Sequence, residues 1–173
     1  MEVRLIGDPV LRGETYKIKE FDQKFRDLIE KMYGEMYKSD GVGLAAPQVG
    51  MPYKFFVMDD GEGKKAVINP KIISFSDEKI TFEEGCLSIP EIFAEIERPK
   101  TIKVEYYNEN GEKIEQELTD YKARIFQHEN DHLDGILFTD KLSVVAKQRI
   151  KKKLQELIKE GKRQGKELGE IKL

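Results

Sequence analysis

Gln127-His128-Glu129-Asn130-Asp131-His132 holds the only two histidines of the 173-residue chain, four positions apart with a glutamate directly after the first. On a helix that spacing sets both imidazoles on one face about one turn apart, where a single ion can bind both. Glu129 is angularly offset, and its longer side chain can reach a metal-bound water instead of the metal, as a general base must. Cys86 is the only cysteine, so the soft ligands number three. A structural zinc site is closed by four Cys or His ligands, whereas a catalytic one uses three and keeps a position for water. Two histidines placed at random would fall at this spacing about once in ninety chains, and a Glu at the right place cuts that roughly fifteenfold. The bland alternative is a solvated helix face that binds nothing.

Outward from this stretch, the spacing predicts a helix that begins near Thr119 or Asp120 as its cap and stops at Gly135, with Ala123, Phe126 and Leu133 on its apolar face. Before it, β-rich runs at 54–58, 66–74, 78–82 and 92–97 are broken by Gly and Pro. Residues 101–107 alternate, turn at 108–111 and return over 113–118, the pattern of an antiparallel hairpin. Phe25, Leu28, Ile29, Met32 and Met36 recur at helical spacing with Asp22 as cap. Gly41-Val42-Gly43-Leu44-Ala45-Ala46-Pro47-Gln48-Val49-Gly50 is too glycine-rich for a helix interior and reads as an exposed strand edge.

Ser143 caps a terminal helix whose stripe is Val145, Ile150, Leu154, Leu157 and Ile158, and the glycines and charges past Gly161 read as frayed. The expected fold class is α+β: antiparallel β-strands packed around a central helix carrying His-Glu-x-x-His, with N-terminal and C-terminal helices. One catalytic domain is expected over 1–173, its C-terminal helix starting near 143.

Composition narrows the setting. Hydrophobic residues make up 39%, no apolar run reaches the length of a membrane helix, and the start, Met1-Glu2-Val3-Arg4-Leu5, lacks the layout of a signal peptide. One cysteine allows no internal disulfide, in keeping with a reducing compartment and an expected cytoplasmic location. The net charge of −3 is uneven, because the residues from Lys141 onward hold eleven Lys or Arg against four Glu. That tail reads equally as a solvated amphipathic helix or as a docking surface for nucleic acid. The charged fraction of 36% exceeds the usual quarter, a bias found in heat-adapted proteins.

Gly41-Val42-Gly43-Leu44-Ala45-Ala46-Pro47-Gln48, Glu84-Gly85-Cys86-Leu87-Ser88 and the histidine stretch stand in the order and spacing of the peptide deformylase motifs, and the chain resembles a bacterial-type peptide deformylase. The resemblance implies an α+β enzyme that removes the formyl group from the N-terminal formylmethionine of new proteins and releases formate. It implies Cys86, His128 and His132 as ligands of one divalent ion, commonly Fe2+, with Zn2+ or Ni2+ accepted. Glu129 would move the proton and Cys86 would be a ligand, not a nucleophile. Gln48 can donate its side-chain amide to the developing oxyanion, and the resemblance adds the Leu87 backbone N–H as second donor.

The small residues around Gly43 would let a substrate backbone pair with the strand edge. Val42, Tyr121, Arg124 and Ile125 are candidate walls of the methionine slot, Arg124 through its aliphatic stem alone. Glu84, Arg98 and Asp131 read equally as a charge network behind the ligands or as unrelated surface pairs. Expected partners are N-formylmethionyl nascent peptides and, by resemblance, the ribosome through the basic C-terminal helix, with no DNA and no membrane.

Two rivals remain from the residues alone. A zinc endopeptidase shares His-Glu-x-x-His and would recruit Glu156 or Glu160 as its third ligand. A noncatalytic metal-binding module would bind metal and peptide without turnover.

Overall fold

The computed structural model describes residues Met1–Leu173. Its elements in chain order are α1 (Gln23–Lys38), β1 (Gly43–Ala45), β2 (Phe55–Asp59), β3 (Lys64–Phe75), β4 (Lys79–Cys86), β5 (Ile89–Pro99), β6 (Thr101–Tyr107), β7 (Lys113–Thr119), α2 (Asp120–Leu133) and α3 (Val144–Leu168). Five antiparallel strands form one sheet in the order β1-β2-β3-β6-β7, and β4 and β5 form a separate hairpin. The architecture is α+β with antiparallel strands, as the sequence predicts.

Period-two alternation explains how the sheet is covered on both faces. Phe55, Val57, Ala66 and Ile68 pack with Phe25, Ile29, Met32 and Met36 of α1. Their neighbours Phe56, Met58 and Val67 point the other way, to Ala123, Phe126 and Leu133 of α2. A third cluster joins Ile89, Ile92 and Ile96 of the hairpin to Ile6, Phe138 and the apolar stripe of α3. The histidine helix therefore lies between the sheet and the hairpin. Asp22 caps α1 through the Phe25 N–H at 2.9 Å, and Gly135, at φ 72°, follows the end of α2.

Three expectations need correction. Stretch 41–50 does begin with the edge strand of the sheet, but only Gly43–Ala45 is strand; Ala46–Val49 form a 3-10 turn, and Leu44 through Met51 are buried. Apolar Leu44, Ala45 and Val49 belong to the core, and only the glycine end stays partly open. The chain past Gly161 is not frayed: α3 continues to Leu168, with Gly161 and Gln164 buried against the N-terminal segment. Gln164 bonds Leu5 N–H at 2.8 Å and the Val3 carbonyl at 2.9 Å, so its amide acts as a backbone partner for residues 3–5. Val145 is exposed rather than in the stripe, and Ala146 takes its place.

Candidate metal centre and substrate cleft

Cys86 closes β4, while α2 carries both histidines, so two elements with no common sheet must meet to build the site. They do: one donor atom each from Cys86, His128 and His132 lies within 4.8 Å of the others. Cys86 Sγ and His132 Nε2 are 3.4 Å apart, close to the S···N edge of a tetrahedral ion with bonds of ~2.3 and ~2.0 Å. His128 Nδ1 faces Glu84 Oε1 at 2.9 Å, which leaves Nε2 as its ligand atom. One sulfur and two nitrogens, oriented and half to fully buried, fit a divalent ion. The two imidazoles stand edge to face with centroids 5.2 Å apart, and His128 stacks on Phe138.

Glu84 is the centre of the expected charge network. Arg98 donates Nε to Oε2 at 2.6 Å and Nη2 to Oε1 at 2.9 Å, and its Nη1 donates to Asp131 at 2.9 Å. Burial works to raise the Glu84 carboxyl, but hydrogen bonds from His128 and Arg98 outweigh it and hold it at about 2. Burial alone would depress His128, yet its contacts to Cys86 and Glu84 raise it well above the ordinary imidazole value. His132, buried beside the charge of His128, is pushed well below it.

Glu129 is 2% exposed, its Oε1 has no hydrogen-bond partner, and burial lifts its carboxyl to about 7. Its carboxylate lies 3.9 Å from His132 Nε2. Gln48 is fixed at both ends of its amide: Oε1 accepts from Ala45 N–H at 2.9 Å, and Nε2 donates to Ser88 Oγ at 3.1 Å and toward Cys86 Sγ at 3.5 Å. The Leu87 N–H enters no backbone hydrogen bond.

These groups line a cleft of about 460 Å3 together with Val42, Gly43, Tyr121, Arg124 and Ile125. Arg124 departs from its expected part. It lines the cleft, and its buried guanidinium is tied to Glu84 and to the carbonyls of Ile80 and Ile96.

Sequence reasoning missed Ser88, fully buried under Gln48, and Arg4, whose N–H donates to the Gln48 carbonyl at 2.7 Å while its side chain pairs with buried Asp8. Asp8-Pro9, a cap followed by Pro at the first helical position, was the available signal that the N-terminal segment is ordered. Neither third ligand of the endopeptidase reading enters the cluster; Glu160 pairs with Arg163 on the surface of α3.

The family model described as polypeptide deformylase matches residues 1–148. The chain belongs to the polypeptide deformylase family. It is 52% identical over 161 residues to the peptide deformylase of Thermotoga maritima, spanning 93% of this chain and 98% of that protein. The crystal structure of a Thermotoga maritima peptide deformylase superposes with a TM-score of 0.81 at 55% identity, over 82% of this chain and 97% of the other. That of Arabidopsis thaliana peptide deformylase 1B in complex with an inhibitor gives 0.88 at 39% identity, over 98% and 94%. Peptide deformylases are metal-dependent hydrolases that remove the N-formyl group from the formylmethionine of newly synthesised proteins, and this is the activity of the chain. No helix is long and apolar enough to cross a membrane.

Proposed function

We propose that Cys86, His128 and His132 hold one divalent ion, Fe2+ in the bacterial cytoplasm, and that Glu129, Gln48 and the Leu87 N–H perform deformylation beside it. The observation that carries this reading is the convergence of three donor atoms within 4.8 Å at a cleft that also contains a buried, half-unpartnered carboxylate. A bound ion supplies Lewis acidity toward the formyl group and activates water at neutral pH. The mixed sulfur and imidazole set suits Fe2+, and also Zn2+ or Ni2+. We treat 1–173 as one catalytic domain.

The residues divide the remaining work. Glu129 accepts the proton of the attacking water and passes it to the amine nitrogen as the C–N bond breaks, because an amine leaves far more readily once protonated. Gln48 Nε2 and Leu87 N–H donate to the formyl oxygen as it gains charge, and each such donor is worth about 3 kcal/mol of barrier. Ala45 and Ser88 hold the Gln48 amide in place, and the N–H that points toward Cys86 Sγ at 3.5 Å is the one that turns to the formyl oxygen. The peptide lies along the open end of β1 as an added strand, a mode blind to most side chains. Its methionine enters the slot walled by Val42, Tyr121, Ile125 and the stem of Arg124, with Gly43 admitting the backbone.

Formate release from formyl-Met-Ala, measured anaerobically with metal analysis of the same sample, tests this reading. Formate should scale with iron content; metal-replete protein that binds the peptide and releases none would overturn it. A Cys86→Ala protein with full metal occupancy would remove Cys86 from the ligand set. Ribosome contact is assigned to the exposed basic residues of α3, Arg149, Lys151 and Lys152. Unchanged ribosome binding after reversal of those charges would remove it.

A further inference from the structure

The β4-β5 hairpin, with Cys86 at its turn, is separate from the sheet that α2 packs on, so side-chain links from α2 to the hairpin hold the sulfur beside the imidazoles. Arg124 makes three of them. Nη1 donates to Glu84 Oε2 at 2.5 Å and to the Ile96 carbonyl at 3.0 Å, and Nη2 donates to the Ile80 carbonyl at 2.7 Å. Ile80 lies on β4 and Ile96 on β5, so one guanidinium grips both strands and the carboxylate that orients His128.

We propose that Arg124 is a positioning residue for the metal centre: it fixes the Cys86 hairpin to the histidine helix and, with Arg98, immobilises Glu84 so that His128 presents Nε2 to the ion. The charges around the carboxylate balance, with two guanidiniums against Glu84 and Asp131. With four donor contacts, Glu84 has no free oxygen that would let it rotate. Loss of the Arg124 fork leaves two carbonyls without that donor and the carboxylate with one guanidinium, so His128 can turn and the hairpin can shift. Groups that orient ligands in this way typically change metal affinity 10–100-fold.

The inference rests on Cys86, His128 and His132 being the ligands, and its test separates the two failures. Arg124→Met keeps an unbranched apolar stem in the cleft wall and removes the fork; Arg124→Lys keeps one cation. Zn2+ dissociation constants are measured by chelator competition for the parent, both variants and Cys86→Ala, with electronic spectra of the Co2+-substituted proteins and kcat and KM on formyl-Met-Ala.

Arg124→Met should bind Zn2+ about 10–100-fold more weakly, with shifted Co2+ bands, a lowered kcat and a KM within about twofold of the parent, and Arg124→Lys should recover part of the affinity. Zn2+ affinity within about twofold of the parent and superimposable Co2+ spectra, with only KM raised, would make Arg124 a wall and overturn the proposal. Should Arg124→Met fail to fold, as far-UV circular dichroism would show, the Lys variant decides by the same criterion. A parent whose affinity is unaffected by Cys86→Ala would refute the ligand assignment itself.

Discussion

The Glu129 carboxylate packs so tightly against the backbone of Gly43 that a Cβ there would stand 2.5 Å from Oε2 and 2.7 Å from Cγ. The strand edge proposed to pair with substrate and the carboxylate proposed to move the proton are thus in direct contact, and only glycine permits it. Gly43→Ala should push the carboxylate aside and lower kcat by about 10²-fold, the usual cost of misplacing a reacting group by ~1 Å. Zn2+ affinity should stay near the parent value, because the three atoms nearest a Cβ at Gly43 all belong to Glu129 and none to Cys86, His128 or His132. Steady-state kinetics with metal analysis checks this, and an unchanged kcat would contradict it.

Glu129 Oε1 is a buried oxygen with no partner, which folded proteins keep for a reason other than stability. Glu129→Gln should therefore retain the metal and melt no lower than the parent, while kcat drops by about 10²- to 10⁴-fold. Mass-spectrometric metal content and a thermal melt accompany the assay. Loss of metal in this variant would assign the side chain to coordination.

Periodicity made legible what one element decides alone: α1 with its Asp22 cap, the β6-β7 hairpin and the limits of α2 match their predicted spans within a few residues. The site was legible because its chemistry is concentrated in a cysteine and two histidines with no duplicates elsewhere in the chain. Arg124 was not, since an arginine on a helix carries no sign of the carboxylate it will meet forty residues away. Gly161 and Gly165 read as helix breakers because their value lies in what crosses them, Ile6 and Asp8 of the N-terminal segment.

Arg12 holds the turn after the histidine helix: Nη1 donates to the Gly135 carbonyl at 2.7 Å and to Asp140 Oδ2 at 2.6 Å, and Nη2 to Oδ1 at 3.0 Å. Partial burial acts to raise Asp140, but the Arg12 hydrogen bonds prevail and its carboxyl is lowered from 3.8. A carboxyl lowered by folding adds stability that is present above its unfolded value and lost as pH falls through the folded one. Parent protein should lose this contribution below about pH 4, whereas Asp140→Asn lacks it throughout. The two should differ by no more than ~1 kcal/mol at pH 7, given the solvent-screened pair. Urea titrations at pH 7 and pH 3 check it, and a gap that widens on acidification would reverse the sign.

Gly161 sits where α3 crosses the N-terminal segment, and a Cβ there would fall 2.0 Å from the Ile6 carbonyl oxygen and 2.6 Å from that of Leu5. Both obstacles are backbone, and Ile6 N–H is itself bonded to the Ser88 carbonyl, so the segment cannot yield without disturbing the floor under Gln48. The helix must lift instead, breaking the Gln164 bonds to Leu5 and Val3. Gly161→Ala should destabilise by about 1–3 kcal/mol, the range for overpacking, despite the gain in helix propensity. Amides of 162–168 should exchange faster while kcat stays near the parent value, since α3 supplies no ligand. Gly34, in the exposed face of α1 with nothing near its would-be Cβ, is the control. Gly34→Ala should stabilise by up to ~1 kcal/mol. If both substitutions raise the melting temperature alike, the close crossing at Gly161 does not exist.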